Sequence, residues 1–248
     1  MKLTFRILLL AAFFPLAFAF KNESPSVSGF EPNALSAAEK AGGWKLLFDG
    51  KTTNGWHGFN MKNVPEKWMV KDGLLYLNPK APGAEERNGD IVTDAEYANY
   101  ELQLEWKISA CGNSGVVYNV VESPKYTYGW ETGPEMQILD NACHPDAKFP
   151  KHKAGDLYDL VESSKVTVKP AGEWNKACLV NRNGKVEQWL NGTKVVEVDM
   201  TGDAWKKMIA GSKFKDMPDF GKKTSGRLLL QDHGNEVWFR NIKIRELK

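Results

Sequence analysis

Tyr100-Glu101-Leu102-Gln103-Leu104-Glu105-Trp106-Lys107-Ile108 decides the fold class. Large apolar residues alternate with charged or amide residues along the whole stretch. A strand turns successive side chains to opposite faces, so one face here belongs to a core and the other to water. Working outward, Trp68-Met69-Val70 and Leu74-Leu75-Tyr76-Leu77 flank Asp72-Gly73, while Asn183-Gly184 and Asn191-Gly192 bracket Val186 to Leu190. Asp-Gly and Asn-Gly pairs favour the two-residue type I′ turn that joins antiparallel strands. Further short strands read at Trp44 to Phe48, Ile91 to Thr93, Val116 to Val120, Val166 to Val168, Trp174 to Val180, Leu228 to Leu230 and Val237 to Ile244. About twelve short strands with turn signals and no strand–helix–strand rhythm predict an all-β antiparallel sandwich or jelly roll.

Two inserts interrupt the pattern. Residues 141–164 are polar and hold His144 and His152; residues 203–223 predict a short helix around Trp205 to Ile209, then a Lys- and Pro-rich loop. Long inserts on a rigid sandwich are where specificity is usually built.

The start of the chain sets the expected compartment. Lys2 and Arg6 precede an apolar run from Ile7 to Phe20, and Ala17-Phe18-Ala19 supplies a small-x-small cleavage pattern. This predicts a signal peptide over 1–19, a flexible leader over 20–42, a single domain over 43–248 and a periplasmic or secreted protein. No second long apolar run follows, so no membrane partner is expected after cleavage. A net charge of +2 excludes the basic field that nucleic-acid binding needs. Three cysteines, Cys111, Cys143 and Cys178, are too few for a disulfide scaffold; one bridge is open, with any of three pairings. Their spacing does not call for structural zinc. Nine Trp and seven Tyr suit an aromatic core and sugar stacking alike. No motif speaks to oligomeric state.

Glu135-Met136-Gln137-Ile138-Leu139-Asp140 carries the chemistry. Strict alternation puts Glu135 and Gln137 on one face; a bulge near Leu139 is expected to bring Asp140 beside them. Two carboxylates and an amide in a row suit acid/base work on a sugar.

A series of further pieces stands in order around that row. It runs Leu47-Phe48-Asp49-Gly50-Lys51, Gly55-Trp56, Val70-Lys71-Asp72-Gly73, Glu105-Trp106, Asn113-Ser114-Gly115 and Gly133-Pro134-Glu135. It continues through Gly172-Glu173-Trp174-Asn175, Trp189-Leu190-Asn191-Gly192 and Leu230-Gln231-Asp232-His233-Gly234 to Phe239-Arg240-Asn241-Ile242-Lys243-Ile244. The series resembles the 3-keto-disaccharide hydrolase domain family over about Gly43 to Lys248. The resemblance implies a concanavalin A-like jelly roll and activity on glycosides oxidised at C3. The Glu-x-Gln-x-x-Asp row also resembles the Glu-x-Asp-x-x-Glu strand of laminarinase-type glycosidases, but Gln137 and Asp140 replace an Asp and a Glu. Retaining hydrolysis needs two carboxyls roughly 5 Å apart, one acting as nucleophile. The departure therefore favours another route. A C3 carbonyl acidifies the hydrogen at C2; a base removes it, the enolate expels the aglycone from C1, and water adds back.

On that reading Glu135 is the candidate base, His233 a donor or proton relay sharing a face with Gln231, and Asp140 a candidate acid. Gln137, Asn113 and Gln231 are candidates for holding sugar hydroxyls. Glu105 joins them if its strand face is the concave one. His152 is expected in an insert folded over the site, His57 after the Gly-Trp turn, and Arg240 as part of a sugar platform or surface patch. Lys215 reads as solvated. The expected partner is an oligosaccharide or glycoside substrate. No cofactor is required, with a divalent cation held by Glu, Asp and His as the alternative. A non-catalytic carbohydrate-binding module and a conventional glucanase-like glycosidase are the competing functions.

Overall fold

The computed structural model describes residues 31–81 and 89–248. The expected signal peptide, the first part of the leader and residues 82–88 lie outside the described residues. The strands are β1 (Lys45–Leu46), β2 (Trp56–Gly58), β3 (Trp68–Lys71), β4 (Leu74–Leu77), β5 (Ile91–Thr93), β6 (Tyr100–Ile108), β7 (Asn113–Val120), β8 (Glu135–Leu139), β9 (Asn175–Arg182), β10 (Lys185–Leu190), β11 (Thr193–Asp199), β12 (Arg227–Leu230) and β13 (Val237–Glu246). Two helices accompany them, α1 (Ala37–Ala41) and α2 (Asp203–Ala210).

The larger sheet runs β11-β10-β9-β6-β13-β4-β3, with β1 also paired to β13; the smaller runs β2-β5-β12-β7-β8. All strand pairings are antiparallel, which makes the all-β jelly-roll sandwich read from the sequence the observed fold. The turn chemistry explains the hairpins. Asp72-Gly73, Asn183-Gly184 and Asn191-Gly192 all have positive φ at both residues, as type I′ turns require. Val166 to Val168 form no strand. Thr167 instead receives the Asn191 side-chain amide on its carbonyl oxygen at 2.7 Å.

The two sheets are buried differently. β6 alternates between buried and partly exposed positions. Its inner residues Tyr100, Leu102, Leu104 and Trp106 meet Val116, Tyr118, Met136 and Ile138 of the smaller sheet in the core. Each such large apolar side chain contributes roughly 2 kcal/mol when fully buried. β7 and β8 are buried on both faces. Phe59, Val92, Val117, Val120 and Leu229 form a second apolar cluster on the outer side of the smaller sheet.

The expected leader is partly folded. Ser36 and Glu39 form a capping box at α1, Glu39 also pairs with Lys243, and Asn33 and Asn241 exchange backbone-to-side-chain hydrogen bonds at 2.7 and 2.8 Å. Asn241 lies at a register shift in β13, where an extra residue leaves the ladder and its polar groups need another partner.

Candidate active site

Both inserts pack their apolar residues, Leu157 and Leu160 from the first and Trp205, Phe214 and Phe220 from the second, into the main core, and each sends residues to the cleft beside β8. Residues 141–164 fold back along the free edge of β8. Gln137 donates its backbone N–H to Asp156 O at 3.0 Å, Gly155 N–H donates to Gln137 O at 2.9 Å, and Tyr158 N–H donates to Glu135 O at 3.0 Å. These bonds satisfy an edge strand that would otherwise be open. Asp156, fully buried, accepts Lys153 N–H and Ser163 N–H, each at 2.7 Å, and so fixes the curl of the insert. Asp159 joins the two inserts. Its carboxylate accepts the Lys213 backbone N–H at 2.6 Å and meets His152 Nε2 at 3.0 Å. Burial alone would raise the Asp159 pKa; the Lys213 N–H and His152 overcome that and hold it below the usual range.

The result is a cleft of ≈ 250 Å³. Glu135, Gln137, Asn113 and Gln231 form its floor, and His233, Asp90, Asp232, Tyr128, Trp130, Tyr158, Lys213 and Phe214 complete the lining. The strand register puts these residues together. Glu135 pairs with Val117 and Gln137 with Gly115, so both project from the same face of β8. Gly115 creates room for the acid: a Cβ there would stand 2.0 Å from Glu135 Oε1. Gln231 lies across from Gly115 through its N–H to Gly115 O at 3.0 Å.

Glu135 is 7 % exposed. Desolvation raises its pKa to about 8; Lys213 opposes the rise, and Asp90 and Asp146 add to it. Asp90, also buried, is raised to about 7, again chiefly by desolvation, against the Asp232 N–H it accepts at 2.8 Å. Asp232 forms a buried ion pair with Lys67 at 2.7 Å. Gln137 donates to Asn113 Oδ1 at 3.3 Å, while the side-chain oxygens of both Gln137 and Gln231 have no protein partner among the described residues. Buried amide oxygens of this kind ask for a donor such as a sugar hydroxyl. His233 stands exposed at the rim, edge-on to His144 at 6.3 Å. Partial desolvation against the wall, with His144 beside it, lowers its pKa and keeps the ring neutral at pH 7.

Glu135, Gln137, Asn113, Gln231 and His233 are thus brought together; the other candidates are not. Asp140 is a correction. β8 pairs without a register shift, so no bulge returns Asp140 to the row. Its carboxylate instead accepts Cys111 N–H at 2.9 Å and Ala142 N–H at 3.1 Å, which organises the turn beside the Cys111–Cys143 disulfide. Glu105 and Arg240 lie on the solvent side of the larger sheet, bound to each other at 2.7 Å, with Arg240 stacked 4.0 Å over Trp174. Alternation fixed their face correctly, but the cleft is on the opposite sheet. His57 shares the face of Glu135 at the far edge of the smaller sheet. Val92, Leu229 and Val117 fill the row between them, and Asp94 and Glu122 hold His57 at 2.6 and 2.9 Å. His152 does not line the cleft; it stacks on Tyr158 at 4.3 Å and backs the wall. Among the described residues, one group of three metal-type ligands is closely spaced, Cys111, Asp140 and Cys143, and its two sulfurs are bonded to each other. That donor set does not fit the expected divalent cation.

Several lining residues escaped the sequence reading. Tyr128 and Trp130 stack at 5.1 Å in the loop before β8, and a cluster of aromatics directly preceding the Glu135 strand was a usable signal. Lys213 was not separable from its neighbour Lys215 by pattern alone. Asp90 sits in a segment whose partner, Asp232, is far away in sequence.

A jelly roll whose smaller sheet carries a buried proton-active carboxyl, free amide oxygens and a rim of aromatic rings defines the class: a glycoside-cleaving enzyme of the hydrolase type. The chain belongs to the family described as 3-keto-α-glucoside-1,2-lyase-like domains, which it matches over residues 43–245. A 3-keto-disaccharide hydrolase of Bacteroides thetaiotaomicron is 35% identical over 251 aligned positions, covering 90% of this chain and 85% of that protein. A crystal structure from Parabacteroides distasonis, provisionally described as a glycosyl hydrolase, superposes with a TM-score of 0.80 at 37% identity, covering 88% of this chain and 100% of the other. A second structure from the same organism with the same description gives 0.62 at 31% identity, over 82% and 99%.

Proposed function

We propose that the protein cleaves 3-keto-glycosides of disaccharide size by proton abstraction at C2, elimination at C1 and hydration. The observation that carries the reading is Glu135, a buried carboxyl with a pKa near 8 on the floor of a sugar-sized polar cleft. A carboxylate of raised pKa is a stronger base, and a base strength near the working pH is what proton transfer favours. The reaction balances in two stages. Glu135 takes the C2 hydrogen as a proton, the electron pair forms the C1–C2 double bond through the enolate, and the C1–O bond breaks. His233, exposed at the rim, takes a proton from solvent on one ring nitrogen and passes one to the departing oxygen from the other. Water then adds its oxygen at C1 and releases a proton to solvent, while the Glu135 carboxyl, its proton exchanged with solvent, protonates C2, so the sum is one substrate and one water giving a 3-keto-sugar and an alcohol. The side-chain oxygens of Gln137 and Gln231 accept hydroxyl protons and orient the ring.

The cleft volume, suited to one ring with part of its aglycone, supports a small substrate over a long glucan. The name of the Bacteroides relative supports the oxidised sugar. The Cys111–Cys143 disulfide supports a periplasmic or secreted location, as the N-terminal sequence does.

The test is cleavage of a disaccharide and its 3-keto form in deuterium oxide. The expected result is turnover of the keto form, with one solvent deuteron at C2 of the product beyond the enzyme-free control. Equal rates on the unoxidised disaccharide, or product without deuterium, overturn the proposal. Sugar binding with no cleavage of either would identify a binding module.

A further inference from the structure

The mechanism above leaves the negative charge that develops on the C3 oxygen without a partner. Lys213 lines the same cleft as Glu135, at the start of the 3₁₀ turn Lys213–Asp216 in the second insert. The residue as a whole is exposed, yet its ammonium lies among rings, 4.1 Å from the centre of Tyr158, 5.1 Å from Phe214 and 5.6 Å from Trp130. No carboxylate of the described residues comes within ion-pairing distance of it. Aromatic faces hold a cation in place without taking its N–H bonds. The lysine backbone is fixed as well, by the Asp159 carboxylate at 2.6 Å. A caged cation with free donors, across from a base, is a group waiting for an oxygen.

We infer that Lys213 is the catalytic residue that binds the C3 carbonyl oxygen and stabilises the enolate while Glu135 removes the C2 proton. The inference rests on the proposed C2 chemistry and deepens it. In the substrate, C2–H and C3=O are on adjacent atoms, so base and donor must face one ring from one cleft, as Glu135 and Lys213 do. No bond forms to the lysine: the ammonium donates a hydrogen bond to the oxygen, which gains charge as the C–H pair moves into the C2–C3 bond and loses it when C1–O breaks. A preorganised donor aimed at developing charge is worth most in a site partly stripped of water. The same charge assists the base. Lys213 holds the Glu135 pKa below where burial alone would put it.

The experiment compares wild type, Lys213→Met and Lys213→Arg on a 3-keto-disaccharide across pH, with borohydride added during turnover. Lys213→Met is expected to lose about a hundredfold or more in kcat. Its activity limb near pH 8 should move to higher pH, since Glu135 loses its nearby cation. Lys213→Arg should keep part of the rate and most of the profile. A merely structural lysine predicts no movement of the limb. Unchanged kcat with an unmoved limb in Lys213→Met overturns the inference alone. A borohydride-stable sugar adduct on Lys213 also overturns it, because the amine would then be a nucleophile. Wild type inert toward every 3-keto-disaccharide tried overturns the proposed function along with it.

Discussion

The two sheets of the sandwich use one alternating code and give it opposite meanings. On the larger sheet, the polar members of the alternation stay near water and answer one another. Glu101 pairs with Arg245 and Glu105 with Arg240, on strands β6 and β13. On the smaller sheet the loop between β7 and β8 and the inserts at the β8 edge wall in the outer face around Glu135, and the polar members of β7 and β8 are buried. Ser114 is spent on Gln231 O at 2.8 Å and Asn113 on Gln137, while the Glu135 carboxyl takes part in no hydrogen bond among the described residues. The same residue type is therefore a solvated ion-pair member at 105 and a proton-active acid at 135. What differs is the layer above the strand, built by segments remote in sequence.

The largest effect should come from the same substitution made on the two sheets. Glu135→Gln is expected to lower kcat about a thousandfold, the scale of a lost general base, while Glu105→Gln leaves kcat unchanged. Steady-state rates on a 3-keto-disaccharide compare them; equal losses would break the contrast. Stability should move the other way. Glu135 and Asp90 bind protons more tightly folded than unfolded, with pKa values raised from 4.5 to about 8 and from 3.8 to about 7. Their contribution is fully present at low pH, below the unfolded values, and is lost as pH rises through the folded ones. Thermal unfolding of wild type should therefore show stability falling from about pH 5 to pH 8, with a flatter curve and a higher Tm at pH 8 in Glu135→Gln. Activity and stability are expected to rise in opposite pH directions, because on the proposed mechanism one proton controls both.

Gly115→Ala should be next. Glu135 leans across a glycine whose missing Cβ leaves it space, and the added methyl would stand 2.0 Å from Oε1. The conflict runs along the Glu135 side chain, with Cδ at 2.6 Å and Cγ at 2.8 Å as well, and no backbone atom is among the three nearest, so the side chain rather than the sheet must give way. The carboxylate must move, and a displacement of about 1 Å costs on the order of a hundredfold in a positioned proton transfer. Expected is a large fall in kcat with Tm changed by only a few degrees. Loss of Tm with retained kcat would show that Glu135 adapts and that its placement is not what the glycine secures.

Much of this contrast is legible in the sequence. The alternation of Tyr100 to Ile108 and three Asp-Gly or Asn-Gly turns were enough for the sandwich, since local backbone preference and one-sided burial agree there. The period of two also grouped Glu135 with Gln137 and Gln231 with His233. It could not say which sheet face is covered, because that depends on where the inserts land; hence Glu105 and Arg240 were drawn toward the site and Lys213, Tyr158 and Trp130 were not. Asp140 failed for a local reason. Only a bulge would bring it into register, and an Asp just past a strand end more readily accepts nearby backbone N–H groups.

The disulfide separates fold from chemistry at the end of β8. Cys111 and Cys143 close a loop of sequence separation 32 that includes β7, β8 and the turn Asp140 organises. Reduction, or Cys143→Ser, is expected to destabilise by about 3 kcal/mol through the freed unfolded chain. Denaturant unfolding with and without reductant measures it, and kcat at 25 °C should be retained, because neither sulfur reaches the cleft lining. Loss of activity in a still-folded reduced protein would place that turn in the catalytic machinery.

The smallest effect should come from the outer ladder of the larger sheet. Arg240 lies over Trp174 and bridges to Glu105, and Lys107 lies 4.7 Å from the Trp238 ring, which stacks on Tyr76 at 5.2 Å. These contacts face solvent, where an ion pair is worth about 0.2–1 kcal/mol and a cation over a ring about as much. Arg240→Ala should lower stability by about 1 kcal/mol and leave kcat and KM unchanged. A raised KM for the disaccharide would sharpen the comparison in the other direction: the wet sheet would then carry a sugar-binding surface of its own, and the covered sheet would not be the sole place where this fold meets its substrate.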